Sequence, residues 1–76
     1  MRLFQVRTPL TLGYDSSIRN LTPQRYKTHA PGILLRLEQE AANGAIWFID
    51  PDNERGKIDC GTVRNLTAKG RILEVT

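Results

Sequence analysis

Few side chains in this 76-residue chain could carry out nucleophilic or metal chemistry. It has one histidine, His29, and one cysteine, Cys60. Acid-base and nucleophilic catalysis need a positioned pair of groups, and neither residue has a partner close by in the sequence. A structural zinc site needs four nitrogen or sulfur ligands, more than these two residues supply. We therefore expect no enzyme activity, no cofactor and no metal.

Three acids alternate in the segment DPDNERG, at Asp50, Asp52 and Glu54. This spacing is typical of the start of an EF-hand calcium loop, which needs glycine at its sixth position and glutamate at its twelfth. Arg55 and Gly61 occupy those two positions. The segment is therefore predicted to form an Asx-type turn, in which an aspartate side chain bonds to the nearby backbone.

Charge is distributed unevenly along the chain. Residues 1–37 hold six basic residues and one acid, whereas residues 38–76 hold five basic residues and seven acids. Tyr26 stands between Arg25 and Lys27. Cations neutralise phosphates and aromatic rings stack on bases, so this pattern indicates a nucleic-acid contact, although an ordinary solvated surface has the same composition. The predicted contact residues are Arg19, Arg25, Tyr26, Lys27, Arg64, Lys69 and Arg71.

The tetrapeptide RNLT occurs twice, at residues 19–22 and 64–67. Two copies in so short a chain do not make a solenoid, which needs at least three stacked repeats. The NLT within each copy matches a glycosylation acceptor, but only in a secreted chain. We interpret both copies as extended segments entering a turn, in which leucine enters the core and threonine caps. In a second interpretation, Arg19 and Arg64 are matched contacts to phosphate or to a partner's carboxylates.

The sequence is predicted to form one domain over residues 1–76. The apolar run near the N-terminus is broken at Gln5 and Arg7, which is too short for a secretory signal, so we expect a cytoplasmic protein. The longest apolar stretch, at 45–49, is far shorter than the roughly 20 residues of a membrane span. A chain of this size buries little core and has no internal disulfide, so self-association is the expected source of further stability.

Most of the periodicity is typical of strands. Residues 1–8 alternate apolar and polar side chains before Pro9, and AIWFI, KIDCGTV and RILEVT are predicted as three further strands, with a turn over 65–70. Residues 10–32 are rich in turn-forming residues and lack sustained periodicity, so we predict a long loop. Within that loop, Thr22 and Pro23 are typical of the start of one helical turn.

Residues 33–43 fit two structures. Their helix-forming residues place one apolar stripe on a helical face, and Asn43-Gly44 would end that helix. As a strand, the same segment alternates apolar and charged side chains, and Asn43-Gly44 between two apolar runs is a strong hairpin signal. We favour the hairpin.

These elements predict a mostly β fold, a small barrel or roll of four to six short antiparallel strands with a long loop in its N-terminal half. The alternative is an α+β fold with one helix at about 33–43 packed on a small antiparallel sheet. The leading functional hypothesis is a non-enzymatic module that contacts nucleic acid through the basic face.

The competing hypothesis is a protein-binding module: an adaptor, an inhibitor or a homo-oligomeric structural subunit. It would use the 10–32 loop and an exposed aromatic side chain. Trp47 and Phe48 are adjacent in a predicted strand and must point to opposite faces, so one of them is exposed if the sheet buries only one face. Both are buried if both faces are covered.

Overall fold

The computed structural model describes residues 2–15 and 25–75. Seven strands and one helix follow one another along these residues. Their bounds are β1 (Leu3–Val6), β2 (Leu10–Tyr14), β3 (Arg25–His29), β4 (Leu34–Glu40), β5 (Ala45–Ile49), β6 (Arg55–Asp59), α1 (Cys60–Ala68) and β7 (Ile72–Glu74).

All seven strands belong to one antiparallel sheet in the order β3-β2-β6-β5-β4-β1-β7. The sheet curls into a half-barrel, and α1 packs against it. The predicted mostly β architecture is therefore confirmed, with more strands than the four to six expected. The α+β class is also compatible with this arrangement, but the helix lies at α1, and the segment predicted as its alternative position contains β4.

The predicted loop over 10–32 is wrong for its two ends, which form β2 and β3. In β2, Leu10, Leu12 and Tyr14 alternate with Thr11 and Gly13, and the first three are buried. The sequence does not clearly predict β2, because Thr11 and Gly13 interrupt its apolar residues. The predicted helical turn at Thr22 and Pro23 lies outside the described residues.

The hairpin prediction for residues 33–49 is confirmed. Asn43 accepts a hydrogen bond from the Ala45 backbone N–H, and Gly44 adopts a φ of 89°, a conformation that side chains disfavour. The register of β4 with β5 shifts between Leu37 and Gln39, as in a β-bulge, so the alternation of side chains continues with one extra residue.

The predicted strand KIDCGTV ends at Asp59, where α1 begins. The Asp59 side chain accepts hydrogen bonds from the backbone N–H groups of Gly61 and Thr62, so it acts as the N-cap. The second RNLT copy therefore lies inside α1, which corrects the prediction of a turn there. The first copy lies outside the described residues.

The hydrophobic core lies on one face of the curled sheet, which we call the inner face. Cross-strand register places Phe48 between Leu37 and Gly56 on this face. Phe4 meets Phe48 edge to face, with ring centroids 5.4 Å apart. The core is completed by Val6, Leu10, Leu12, Tyr14, Leu35, Ile46, Ile58, Val63 and Ile72. α1 contributes Val63 to the core, and its partly buried Cys60 and Leu66 pack against the same cluster.

The sheet curls most tightly where β2 crosses β6. A Cβ atom built on Gly56 would lie 2.8 Å from Leu12 Cδ1 and 2.8 Å from Tyr14 Cζ. No side chain fits there without moving two buried residues. Glycine at this position lets β2 fold over β6.

We predict that Gly56→Ala lowers the free energy of unfolding by about 1 to 3 kcal/mol, because the added methyl group overpacks the core against Leu12 and Tyr14. Urea unfolding followed by circular dichroism measures the change. Thr62→Ala, at an exposed helical position, serves as the control and should stay within about 0.5 kcal/mol of the unsubstituted chain. Equal stability of the two variants would contradict the tight crossing.

Candidate functional site

The carboxylates of the chain are largely engaged by four cations. Seven of the eight acids form ion pairs in the structure, and the eighth, Asp59, caps α1. The pairs are Arg2 with Glu40 and Glu74; Arg25 with Asp15 and Glu54; Lys27 with Asp50, Asp52 and Glu54; and Arg55 with Glu38. Basic residues of the first half of the sequence thus pair largely with acids of the second half, although the two halves differ in net charge.

Two of the predicted phosphate contacts, Arg25 and Lys27, are held by these internal pairs. Both point from β3 towards the loop between β5 and β6, and both lie near the Tyr14 ring. Glu54 accepts hydrogen bonds from both side chains, so a phosphate would have to compete with a carboxylate already in place.

Tyr26 lies between these two cations in sequence but on the opposite face of β3. Successive side chains of a strand alternate, and Tyr26 is 65% exposed on the outer face of the sheet. The structure therefore does not bring its ring together with the guanidinium of Arg25 or the ammonium of Lys27.

The loop between β5 and β6 is the predicted Asx-type turn. Asp50 Oδ1 accepts hydrogen bonds from the backbone N–H groups of Asp52 and Glu54 at 3.0 and 2.9 Å. Its other oxygen, Oδ2, accepts from the Tyr14 hydroxyl at 2.7 Å and from Lys27 Nζ at 3.1 Å. Among the described residues, no group of three or more His, Cys, Asp or Glu side chains is arranged to hold a metal ion.

A buried chain of polar groups links Asp50 to His29 through Tyr14. The Tyr14 hydroxyl has one proton, which it donates to Asp50 Oδ2, so His29 Nε2 must carry a proton and donate it to the Tyr14 oxygen 2.7 Å away. All three residues are buried. No local sequence pattern indicates this cluster, because its members come from β2, β3 and the β5–β6 loop.

The environment shifts each pKa in this cluster. Burial lowers the pKa of His29, outweighing the opposing effect of Asp50. Burial and the hydrogen bond to Asp50 raise the pKa of Tyr14. Burial opposes ionisation of Asp50, but the hydrogen bonds from Tyr14, the Glu54 backbone and Lys27 prevail and lower its pKa. Neutral His29, neutral Tyr14 and ionised Asp50 form a hydrogen-bonded network that joins β2, β3 and the β5–β6 loop.

Three exposed cations lie on adjoining segments at the opposite end of the sheet, and we call them the basic corner: Arg7, Lys69 and Arg71. Arg7 donates its backbone N–H to the Arg71 carbonyl at 2.9 Å, which places the two arginines opposite each other just beyond the paired residues Val6 and Ile72. Lys69 is the C-cap of α1. All three residues are exposed, and none forms an ion pair with a carboxylate among the described residues.

The basic corner joins two predicted contact residues to Arg7, which the sequence analysis did not select. A signal was available, because Arg7 directly precedes Thr8-Pro9 at the end of a predicted strand, where an exposed cation is common. The predicted contact Arg64 lies on the side of α1 that faces a groove, away from Lys69 at the helix end. Arg19 lies outside the described residues.

The expectation of an exposed aromatic at Trp47 or Phe48 is wrong, because the chain buries both. Phe48 lies in the core and is fully enclosed. Trp47 is on the outer face and only 1% exposed, and the Arg55 guanidinium lies 4.1 Å from its ring centroid.

The exposed apolar surface lies elsewhere, near the edge strand β7. Leu34 and Leu73 flank Gln5 on the outer face, each directly opposite it in register, and Val75 follows. Their exposures are 46%, 43% and 42%. A cavity of about 520 Å³, lined in part by Leu3, Leu34 and Ile49, adjoins this patch.

Comparison with protein-family models, with curated proteins and with solved structures gives no match to this chain. Among the described residues, no helix combines the length and the apolar character needed to cross a bilayer. Inference about function therefore has to start from the surfaces described above.

The chain's only histidine, His29, makes one pH dependence predictable. Because its pKa is lowered in the folded state, the unfolded chain binds a proton first as the pH falls below about 6.5, and stability decreases. We predict that the urea midpoint falls between pH 7 and pH 5.5, by at most about 1.4 kcal/mol per pH unit in free energy of unfolding.

The matched variant is His29→Gln, whose amide N–H can still donate to Tyr14 but does not titrate. It should be less stable than the unsubstituted chain at pH 7 and nearly independent of pH over the same interval. If the free energy of unfolding of the unsubstituted chain rises on acidification, His29 is not a buried neutral imidazole.

Proposed function

We propose that this chain is a small, non-enzymatic, cytoplasmic module that binds nucleic acid through phosphate contacts at the basic corner. The observation that carries the proposal is the placement of Arg7 directly opposite Arg71, with no carboxylate paired to either among the described residues. Like charges directly opposite each other destabilise a sheet, and an anion between them removes that repulsion.

The chemistry of the corner suits phosphate rather than a specific base. Arginine presents a planar fork of donors that matches phosphate oxygens, and Lys69 adds a point charge beside it. No aromatic ring is part of the corner, so the proposal includes no base stacking there. Contacts of this type set affinity and position, and sequence preference would need further contacts.

The ion pairs elsewhere support this assignment. Arg25 and Lys27 form ion pairs with carboxylates of this chain, so a phosphate would have to displace those carboxylates to bind them. Of the predicted contacts that the structure describes, Lys69 and Arg71 at the corner form no ion pair with a described carboxylate, and Arg64 is also unpaired but lies at the side of α1. Arg19 stays a predicted contributor.

We predict that binding of labelled single-stranded RNA and duplex DNA falls steeply with salt. Three phosphate contacts give a slope of log K against log salt of about −2 for single strands and about −3 for duplex. Fluorescence anisotropy at several salt concentrations measures it. Arg7→Gln or Arg71→Gln should each reduce the slope by about 0.7 to 0.9.

Arg36→Gln is the matched control, because Arg36 is exposed on β4 and forms no ion pair with a described carboxylate. It should leave both affinity and slope unchanged. Absence of binding at low salt, or an equal loss in Arg36→Gln, would contradict the proposal.

The apolar patch of Leu34, Leu73 and Val75 favours a second function, self-association. Exposed apolar side chains beside an edge strand are typical of a protein contact, since both the side chains and the free backbone groups of the edge find partners. A small core also gains stability from a second copy. This version of the protein-binding hypothesis uses the β7 edge in place of an exposed Trp47 or Phe48.

We predict for this second function that the mass measured by sedimentation increases with concentration, and that Leu73→Lys keeps the chain monomeric by placing a charge in the contact. Tyr26→Lys, an equally drastic change at an exposed site on the far edge of the sheet, should leave the association intact. A monomeric mass at all concentrations up to about 200 µM would exclude dissociation constants in the micromolar range for self-association.

A further inference from the structure

A groove runs between α1 and the strands β4 and β5. It consists of two adjoining cavities of about 370 and 360 Å³. Both cavities are lined by Glu40, Ile46, Val63 and Arg64, so they form one continuous space. Each volume is at the lower end of the range found for small-molecule sites.

The floor of the groove is apolar. The half-buried Leu37 and the edges of Phe4 and Ile46 line it from the inner face of the sheet, with the enclosed Phe48 behind them, and the exposed Ala68 lines it from α1. The helix packs against the core through the buried Val63 and the partly buried Cys60 and Leu66, whereas the small Ala68 side chain lines the groove without filling it. A ligand with an apolar body would displace water from this floor, which is favourable in proportion to the area covered.

The polar groups at the rim are already satisfied, with one exception. Arg2 pairs with both Glu40 and Glu74, and the Thr67 hydroxyl donates to the Val63 carbonyl at 2.7 Å. Arg64 lines both cavities, is exposed, and forms no ion pair with a described carboxylate. The groove therefore combines an apolar floor with one available guanidinium.

We propose that this groove binds a small amphipathic carboxylate, of the class of medium-chain alkanoates. The alkyl chain lies over Leu37 and the accessible edges of Phe4 and Ile46, and the carboxylate accepts hydrogen bonds from the Arg64 guanidinium. An arginine fork matches a carboxylate with two parallel bonds, which gives the ligand its orientation. A cationic ligand is disfavoured by Arg64, and a neutral one gains only the apolar contact.

This site is separate from the phosphate-binding proposal. The basic corner uses Arg7, Lys69 and Arg71, whereas the groove uses Arg64 and inner-face side chains. Loss of one function leaves the other to be measured in the same variant.

The test is a titration of the full chain with octanoate, decanoate and 1-decanol, each below its micelle or solubility limit, followed by nitrogen-proton NMR correlation spectra. Decanoate should bind about fifteenfold more tightly than octanoate, because each buried methylene contributes about fourfold. The affinity for 1-decanol should be lower than that for decanoate by a factor of about ten or more, because the alcohol lacks the charge-assisted bonds to Arg64. The largest shifts should fall in β4, β5 and α1.

Two variants separate the charge from the cavity. Arg64→Gln should weaken decanoate about tenfold and leave 1-decanol unchanged, whereas Arg36→Gln should change neither. Ala68→Phe fills the groove from an exposed helical position and should abolish binding of both ligands while the circular dichroism spectrum stays unchanged. Equal affinity for decanoate and 1-decanol, no effect of Arg64→Gln, or shifts confined to the basic corner would each overturn the proposal.

Discussion

The arrangement of charge in this fold depends on one buried carboxylate, that of Asp50. Its two oxygens accept four hydrogen bonds, two from the backbone of its own turn and two from side chains of β2 and β3. The carboxylate thereby joins the β2–β3 hairpin to the β5–β6 loop. A buried charge is tolerated when it is paired and fully hydrogen-bonded. Removal of one donor destabilises the fold, because the desolvation of the charge is then no longer compensated. Burial keeps His29 neutral by lowering its pKa, and burial together with the hydrogen bond to Asp50 keeps Tyr14 neutral by raising its pKa.

The Asp50 network also decides which cations face solvent. Because the inward side of β3 carries Arg25, Lys27 and His29, that strand is matched to acids instead of to apolar residues. The cations of β3 form ion pairs that hold the β2–β3 hairpin against the β5–β6 loop. Three of the cations without a described carboxylate partner, Arg7, Lys69 and Arg71, lie at the junction of β1, α1 and β7, whereas Arg36 and Arg64 lie on β4 and α1. A basic segment in a sequence and a basic surface in a structure are therefore different things, and here they lie at opposite edges of the sheet.

The sequence contained enough information for the central hairpin and too little for the elements around it. Asn43-Gly44 between two apolar runs predicts β4 and β5 by turn chemistry alone, and the alternation in MRLFQVRT predicts β1. β3 was missed because its inward side chains are charged, and most of their ion pairs are with acids 23 to 29 residues away in the sequence, outside any local pattern. α1 was missed because its N-cap, Asp59, follows a strand without an intervening break, and because CGTVRNLTA has weak helix-forming residues. Tertiary contact of Val63 with the core stabilises this helix where propensity does not.

The two proposed sites depend on the same helix, which constrains how they behave together. The groove lies along the side of α1, and the basic corner lies at its C-terminal end. The last turn is joined to the corner by backbone hydrogen bonds from Lys69 to Asn65, from Gly70 to Thr67 and from Arg71 to Leu66. Since Val63 is the one buried residue of α1, and Cys60 and Leu66 are only partly buried, α1 is among the more weakly held parts of the described fold. A ligand that fills the groove adds contacts along the helix and so also restrains Lys69 and Arg71. Any anion held between Arg7 and Arg71 restrains the helix from its other end. Both effects act in the same direction, because each ligand orders an element that the other one needs.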